Sequence, residues 1–178
     1  AIKNADNAKS YRNSKGYVND GPEYLTVFNG TTGAAVNTVF YNPNRAGGLG
    51  GAPSHPSKSF WGDNYGGRAD RYLATVAYPA GKDENPPAVF VRGYYTRSYF
   101  WAVDFDGSKL KTRWLHASTD KNTVTVTDAD GHTTTTKHSQ STSGKGSATA
   151  FGNGNHNLSC ADVDGDGRDE VLWGSAAL

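Results

Sequence analysis

Asp162-Val163-Asp164-Gly165-Asp166-Gly167-Arg168-Asp169-Glu170 is the stretch on which the reading of this chain turns. Asp162, Asp164 and Asp166 alternate along a tight turn, so their carboxylates converge on one concavity. Gly167 permits the turn, Arg168 offers its carbonyl oxygen, and Glu170 closes the shell. Ca²⁺ takes about six to eight oxygens, and this loop supplies most of them. Without a cation the same carboxylates repel one another. The loop lacks the bidentate glutamate that closes an EF-hand. The alternative is an acidic hairpin turn that holds no ion. Residues 158–161 and 171–173 are apolar and strand-like on either side, so a calcium-stapled hairpin is predicted.

The 178 residues suffice for one or at most two domains with a real core. A net charge of +1 and scattered Lys and Arg argue against a nucleic-acid partner. No apolar run reaches the length of a membrane span, and no signal-peptide pattern stands at Ala1. Cys160 is the single cysteine, which excludes an internal disulfide; it is expected to pack on a strand. The absence of methionine marks the chain, on this reading, as a processed or excised piece of something longer. Gly, Tyr, Thr and Asn are abundant, which favours strands and turns and suits an extracellular, carbohydrate-facing protein.

Outward from the acidic loop the chain reads as hairpins. Residues 24–28 and 36–41 flank the turn Asn29-Gly30-Thr31-Thr32-Gly33. Residues 42–59 form a long Gly/Pro/Asn loop. Residues 71–78 and 88–95 flank Lys82-Asp83-Glu84, and residues 99–105 and 109–116 flank Asp106-Gly107. The hairpins at 24–41 and 99–116 resemble each other, as do the pairs at 71–95 and 158–174. An all-β fold follows, a β-propeller of four-stranded antiparallel blades. Residues 23–41 form an outer half-blade, 71–117 a complete blade and 158–178 an inner half-blade. Residues 118–149 are a Thr-rich inserted hairpin expected to protrude from the body, with His132 and His138 solvated. About two blades cannot close a ring, so the remaining blades of a parent chain or other copies of this one are expected partners.

Four motifs, in order, are similar to polysaccharide lyase family eleven, the bacterial rhamnogalacturonan endolyases. They are Phe60-Trp61-Gly62-Asp63-Asn64-Tyr65-Gly66-Gly67-Arg68-Ala69-Asp70-Arg71-Tyr72-Leu73-Ala74, Arg92-Gly93-Tyr94-Tyr95-Thr96-Arg97, Gly152-Asn153-Gly154-Asn155-His156-Asn157-Leu158-Ser159, and the acidic loop with Glu170-Val171-Leu172-Trp173-Gly174-Ser175-Ala176. The resemblance covers most of residues 23–178; the Thr-rich insert is longer than the family's usual loop. It implies a propeller of about eight blades with several calcium ions. It implies cleavage of the rhamnogalacturonan I backbone of pectin by β-elimination at galacturonate, with Ca²⁺ as cofactor, in a protein secreted, periplasmic or on the surface of a bacterium. The isolated segment is then expected to be inactive.

Candidate substrate-binding residues are Asn155, His156, Tyr94, Tyr95 and Arg97, with His156 and Arg97 as candidate catalytic groups. Asn155 and His156 lie just before a strand expected to line a propeller channel, where hydrogen-bonding side chains suit sugar hydroxyls or a metal. The alternative is a turn whose Asn residues bond local backbone. Arg97 is suited to a bidentate pair with a uronate, and Tyr94 or Tyr95 to stacking on a sugar; a salt bridge and packed aromatics are the competing reading. Asp63, Asn64, Arg68, Asp70 and Arg71 are read as a structural charge network in preference to a second cation site. Two other functions compete with the lyase: a non-catalytic calcium-stapled propeller that binds glycan or protein, and a glycoside hydrolase built on a carboxylate pair.

Overall fold

The computed structural model describes residues 9–57, 59–118, 120–137, 151–152, 154–174 and 176–178. Among them there are strands, turns and loops and no helix. The all-β expectation therefore holds. The strands are β1 (Tyr24–Phe28), β2 (Ala35–Phe40), β3 (Tyr72–Val76), β4 (Ala88–Gly93), β5 (Ser98–Phe105), β6 (Leu110–Ser118), β7 (Thr123–Asp128), β8 (Thr133–Lys137), β9 (Leu158–Ala161), β10 (Glu170–Trp173) and β11 (Ala176–Ala177). Two compact bodies result, one of residues 1–70 with 106–110, the other of residues 71–105 with 111–178.

In the second body, β3 to β8 form one sheet in sequence order, each described ladder antiparallel. Its burial follows the sequence pattern. β5, Ser-Tyr-Phe-Trp-Ala-Val-Asp-Phe, is apolar on both faces and buried along most of its length, as a central strand should be. β3 alternates half-buried with exposed residues, and β8 is exposed throughout. The expected blade at 71–117 ends with β6, but the sheet does not. Residues 114–118 pair with 124–128, so the Thr-rich hairpin extends the sheet to six strands and does not stand apart from it. The physical reason is the edge: β6 leaves a row of unpaired backbone groups, and a β-branched Thr/Val run is well suited to fill it. The remainder of that insert, His138 included, lies outside the described residues.

The segment 158–178 also carries more than a hairpin. Gly174 turns the chain at φ 65°, and β11 returns beside β10 to make a three-stranded sheet. Val171 and Leu178 exchange two backbone hydrogen bonds, at 2.6 and 3.1 Å. One core joins this sheet to the six-stranded one: Ala77, Val89, Val91, Phe100, Ala102, Val171 and Trp173, with Leu73, Trp114, Leu158 and Cys160 against it. Trp173 meets Phe100 edge to face at 5.6 Å. β3 and β9 run side by side in the same direction. Arg71 bonds His156 and the Thr75 hydroxyl lies 3.4 Å from Cys160 Sγ, and both pairs are separated by 85 residues. Cys160 also donates to the Val76 carbonyl at 3.0 Å, so the lone thiol is a strand-packing residue as expected.

The first body has one two-stranded sheet, β1 with β2, and a loop held by polar side chains. Arg45, on the long loop, is only 7% exposed. It bridges Glu23 at 3.0 Å and also pairs with Asp70, and it donates to the Val18 carbonyl at 2.5 Å. Its own carbonyl accepts from the buried indole of Trp61 at 2.8 Å. Asp63 accepts the main-chain N–H groups of Gly66 at 2.9 Å and Arg68 at 2.7 Å. The charges at 63 and 70 are therefore structural. Glu23 is almost as buried as Arg45, at 13% side-chain exposure, so removing the arginine strands a carboxylate. Arg45→Met should lower the stability of this body by about 3–5 kcal/mol, measured by urea unfolding followed through Trp61 fluorescence.

His116 on β6 supplies a pH dependence. Its ring packs edge-on against Phe100 at 5.6 Å, and Nδ1 is buried with no hydrogen-bond partner among the described residues. Burial lowers its pKa from 6.5 to about 4. Above pH 6.5 the ring is neutral whether the chain is folded or unfolded. Between there and pH 4 the unfolded chain binds a proton that the folded one refuses, so stability falls as the pH drops through that window. The loss should approach about 3 kcal/mol, and His116→Leu should flatten it, as read from urea midpoints taken across the window.

Candidate functional site

The predicted site residues of the second body fall mainly at opposite ends of the β3 and β9 pair. At the starting end, Arg71, Tyr94 and His156 converge. Arg71 precedes β3, Tyr94 follows β4, and His156 precedes β9. β3 and β4 are antiparallel while β9 runs with β3, so these three positions share one end. Gly93 makes the local turn possible: φ is 109°, and a Cβ there would lie 2.0 Å from the Arg97 carbonyl oxygen. The connection 94–97 then receives the segment before β9, with Gly152 N–H on the Thr96 carbonyl at 2.8 Å and Gly154 N–H on the Tyr94 carbonyl at 3.0 Å. At Gly154 a Cβ would lie 2.4 Å from that carbonyl oxygen and 2.6 Å from the Trp173 ring.

The side chains form a tight cluster. An Arg71 guanidinium N–H donates to His156 Nδ1, and His156 Nε2 bonds the Tyr94 hydroxyl. The Arg71 guanidinium also lies over the Tyr94 ring, 5.0 Å from its centroid. Tyr94 and Tyr95 rings are 3.8 Å apart, and Tyr95 is 53% exposed. A hydrogen bond with Tyr95 raises the Tyr94 pKa above its ordinary value of 10, with burial and the Tyr95 charge acting in the same direction and Arg71 opposing. Among the described residues Arg71 forms an ion pair with no carboxylate.

The sequence-predicted residues separate on this map. His156, Tyr94 and Tyr95 come together. Asn155 adjoins them and is exposed: its Oδ1 accepts the His156 N–H at 2.7 Å, and its carbonyl accepts the Trp173 indole at 2.9 Å. The charge of Arg97 acts on Tyr99 and Asp120. The arginine at His156 is Arg71, which the sequence reading assigned to a charge network. The available signal was its position, first before a strand whose partner in the repeat begins just after His156.

At the far end lies the acidic loop. Asp162, Asp164 and Asp166 are exposed, and one carboxylate oxygen of each lies within 4.8 Å of the others. Backbone bonds set the loop. Asp162 accepts Gly165 N–H at 2.7 Å and Gly167 N–H at 2.9 Å, Asp164 accepts Asp166 N–H at 3.2 Å, and Asp166 accepts Arg168 N–H at 2.8 Å. Glu170 reaches across the loop to Val163 N–H at 3.0 Å. Oxygens of Asp164 and Asp166 outside these bonds remain to face a hard cation, so the donor set fits calcium. Asp169, which the alternation passes over, has a separate task. It exchanges main-chain N–H and side-chain acceptor bonds with Tyr78, both at 3.0 Å, and so clamps the loop to the end of the β3 segment.

A family model described as the rhamnogalacturonan lyase family 11 C-terminal domain matches residues 2–139 and 122–178. This chain belongs to that family. Among curated relatives from Bacillus subtilis (strain 168), it is 45% identical to the rhamnogalacturonan exolyase YesX over 113 residues. That is 64% of this chain and 16% of YesX. It is 41% identical to the rhamnogalacturonan endolyase YesW over 104 residues, 58% of this chain and 15% of YesW. The rhamnogalacturonan lyase PL11 of Bacillus licheniformis superposes with a TM-score of 0.69 at 41% identity, covering 99% of this chain and 24% of that one. The chain thus spans between about a sixth and a quarter of these family 11 lyases, exolyase and endolyase alike.

The loop chemistry yields a direct test. Asp164→Ala removes one of three converging carboxylates. The parent protein should lose several degrees of melting temperature when a chelator strips calcium, and the mutant should lose none. A chelator shift of the same size in both would remove Asp164 from the site.

Proposed function

We propose that this chain is part of a calcium-dependent, extracytoplasmic bacterial lyase that cleaves the rhamnogalacturonan I backbone of pectin by β-elimination at galacturonate. Family membership supports the lyase class and the substrate. One observation carries the site: Arg71 faces aromatic and imidazole groups, with no carboxylate of its own among the described residues, next to a half-exposed tyrosine. A guanidinium in that setting is suited to a uronate.

The chemistry sets the need. Elimination removes the C5 proton of galacturonate, forms the C4–C5 double bond and releases the C4 oxygen with its rhamnosyl group. That proton is weakly acidic while the adjacent carboxylate is charged. A cation against the carboxylate stabilises the enolate-like transition state, and Arg71 fills this role. Tyr94, with its raised pKa, stays protonated near neutrality and acts as a donor.

Calcium at Asp162, Asp164, Asp166, the Arg168 carbonyl and Glu170 would hold the β9–β10 turn, and so the register of β9, from the end remote from His156. Calcium sites of extracellular modules bind at about 10⁻⁴–10⁻³ M, which agrees with an exposed site and a protein outside the cytoplasm. The parallel β3 and β9 suit the inner strands of neighbouring propeller blades, with the remaining blades supplied by the parent chain.

Turnover of rhamnogalacturonan I by the longest natural chain carrying this segment, followed by absorbance of the unsaturated uronate, tests the reading. His156→Ala should reduce turnover about 10²–10⁴-fold at saturating calcium, with a melting temperature close to that of the parent. A folded mutant with normal turnover would return His156 to the role of a turn residue, and a parent that releases no unsaturated product would overturn the lyase assignment.

A further inference from the structure

Two tyrosine rings stand side by side on the first body, carried by segments far apart in the chain. Tyr17 and Tyr65 have ring centroids 5.9 Å apart at an interplanar angle of 54°. They are 42% and 56% exposed. Apolar side chains scattered singly over a surface need no account, but contiguous exposed apolar area marks a place where something binds. Both rings are also held by tight backbone. Asn13 closes the turn that carries Tyr17: its Oδ1 accepts the N–H of Lys15 at 2.9 Å and of Tyr17 at 3.0 Å, and its own N–H reaches the Tyr17 carbonyl at 2.8 Å. Asp63 closes the loop that carries Tyr65, through the N–H groups of Gly66 and Arg68. Asn19 joins the two loops by donating to the Asn64 carbonyl at 2.9 Å. Gly66 comes so near that a Cβ there would lie 2.8 Å from the Val18 carbonyl oxygen, and a Cβ at Gly67 would lie 3.1 Å from the Tyr65 ring. Rings fixed in this way before a ligand arrives lose little freedom when it binds.

Charge sets the kind of ligand. Residues 9–19 carry Lys9, Arg12 and Lys15 and no acidic residue. Among the described residues none of these three cations pairs with a carboxylate. The Arg12 guanidinium donates to the Gly16 carbonyl at 3.0 Å, next to Tyr17 in the chain, and Lys15 lies in the same turn. The acids nearest in sequence are occupied with backbone. Asp20 accepts the Gly21 N–H at 2.8 Å, and Asp63 is buried on the N–H groups of its own loop.

We propose that Tyr17 and Tyr65, with Arg12 and Lys15, form a second glycan-binding site, which holds an anionic polysaccharide and shares no residue with the His156 cluster. The rings take the C–H faces of pyranose units, and the cations take their carboxylates. The tilt between the rings suits a chain that turns from one sugar to the next, whereas a flat aromatic ligand would ask for parallel faces. A binding site on the same chain as a catalytic one raises the effective concentration of a polymer without adding a contact to the reacting sugar. That the polymer is pectic rests on the lyase reading. The demand for sugar rings and negative charge rests on the residues themselves.

Two measurements on the longest natural chain carrying this segment decide the matter. The first is tyrosine nitration, read by mass spectrometry of the peptides that hold Tyr17 and Tyr65. Both should react readily in the free protein and be slowed about tenfold by a saturating short oligogalacturonate. A galacto-oligosaccharide of equal length, which lacks the charge, and an oligoglutamate, which lacks the rings, should protect neither. Tyrosines that resist nitration in the free protein, or equal protection by all three probes, overturn the proposal. The second is calorimetric titration with the oligogalacturonate. The pair Tyr17→Ala and Tyr65→Ala should weaken one class of sites about ten- to a hundredfold, while Tyr17→Phe with Tyr65→Phe, which keeps the ring faces, should bind as the parent does. Arg12→Gln with Lys15→Gln should weaken the same sites and make them less sensitive to salt. Unchanged binding in the folded alanine pair overturns the proposal, and the nitration readout needs no variant. A parent that shows the protection but releases no unsaturated product from rhamnogalacturonan I would defeat the lyase reading and leave this site standing. A parent that cleaves the polymer with Tyr17 and Tyr65 unprotected would do the reverse.

Discussion

The indole of Trp173 is the contact on which the rest of the second body depends. Its ring is 1% exposed and packs edge-on against Phe100 in the shared core. Its N–H reaches the Asn155 carbonyl, and its six-membered ring fills the space a Gly154 side chain would occupy. One side chain therefore couples the hydrophobic packing of two sheets to the position of the loop that holds His156. A large aromatic with a polar edge can do both, because burial of its faces and satisfaction of its N–H are independent demands met from different directions.

Given that anchor, β3 and β9 need pinning only along their length. Arg71 with His156, Thr75 with Cys160, and Tyr78 with Asp169 do this at the start, middle and end. No backbone ladder joins the two strands; they belong to different sheets. Side chains and a loop carboxylate set their register instead. That arrangement makes the acidic loop and the His156 cluster two ends of one element, although they occupy different surroundings and do different work.

Two arginines, Arg45 on the long loop and Arg71 before β3, show how context decides the role of a charge. Arg45 is buried among Glu23, Asp70 and a backbone carbonyl, with its own carbonyl engaged by Trp61. All of its charge is answered locally, which is what a structural ion pair requires. Arg71 meets a ring face and an imidazole nitrogen, neither of which neutralises a guanidinium. The first holds a loop; the second forms no ion pair with a carboxylate among the described residues.

Strands and turns were legible in the sequence because each is a local property. Alternation in residues 71–78, the near-continuous apolar run in β5, the Asp-Gly turns and the acidic loop depend on neighbours a few positions apart. The convergence of Asp162, Asp164 and Asp166 was legible for the same reason. The sixth strand and the return of β11 were not, because pairing at an edge depends on which backbone groups another segment has left unpaired. Nor was the meeting of Arg71 with His156. Arg71 and Arg97 both lie in motifs of mixed charge and aromatic residues, and both match a uronate by composition. Only the parallel run of β3 beside β9 carries Arg71 across 85 residues to His156. The sequence by itself determined an all-β chain with a carboxylate-lined loop and a short catalogue of polar candidates. The tertiary structure decided which of them meet, because contact between residues distant in the chain is a property of packing and not of any local pattern.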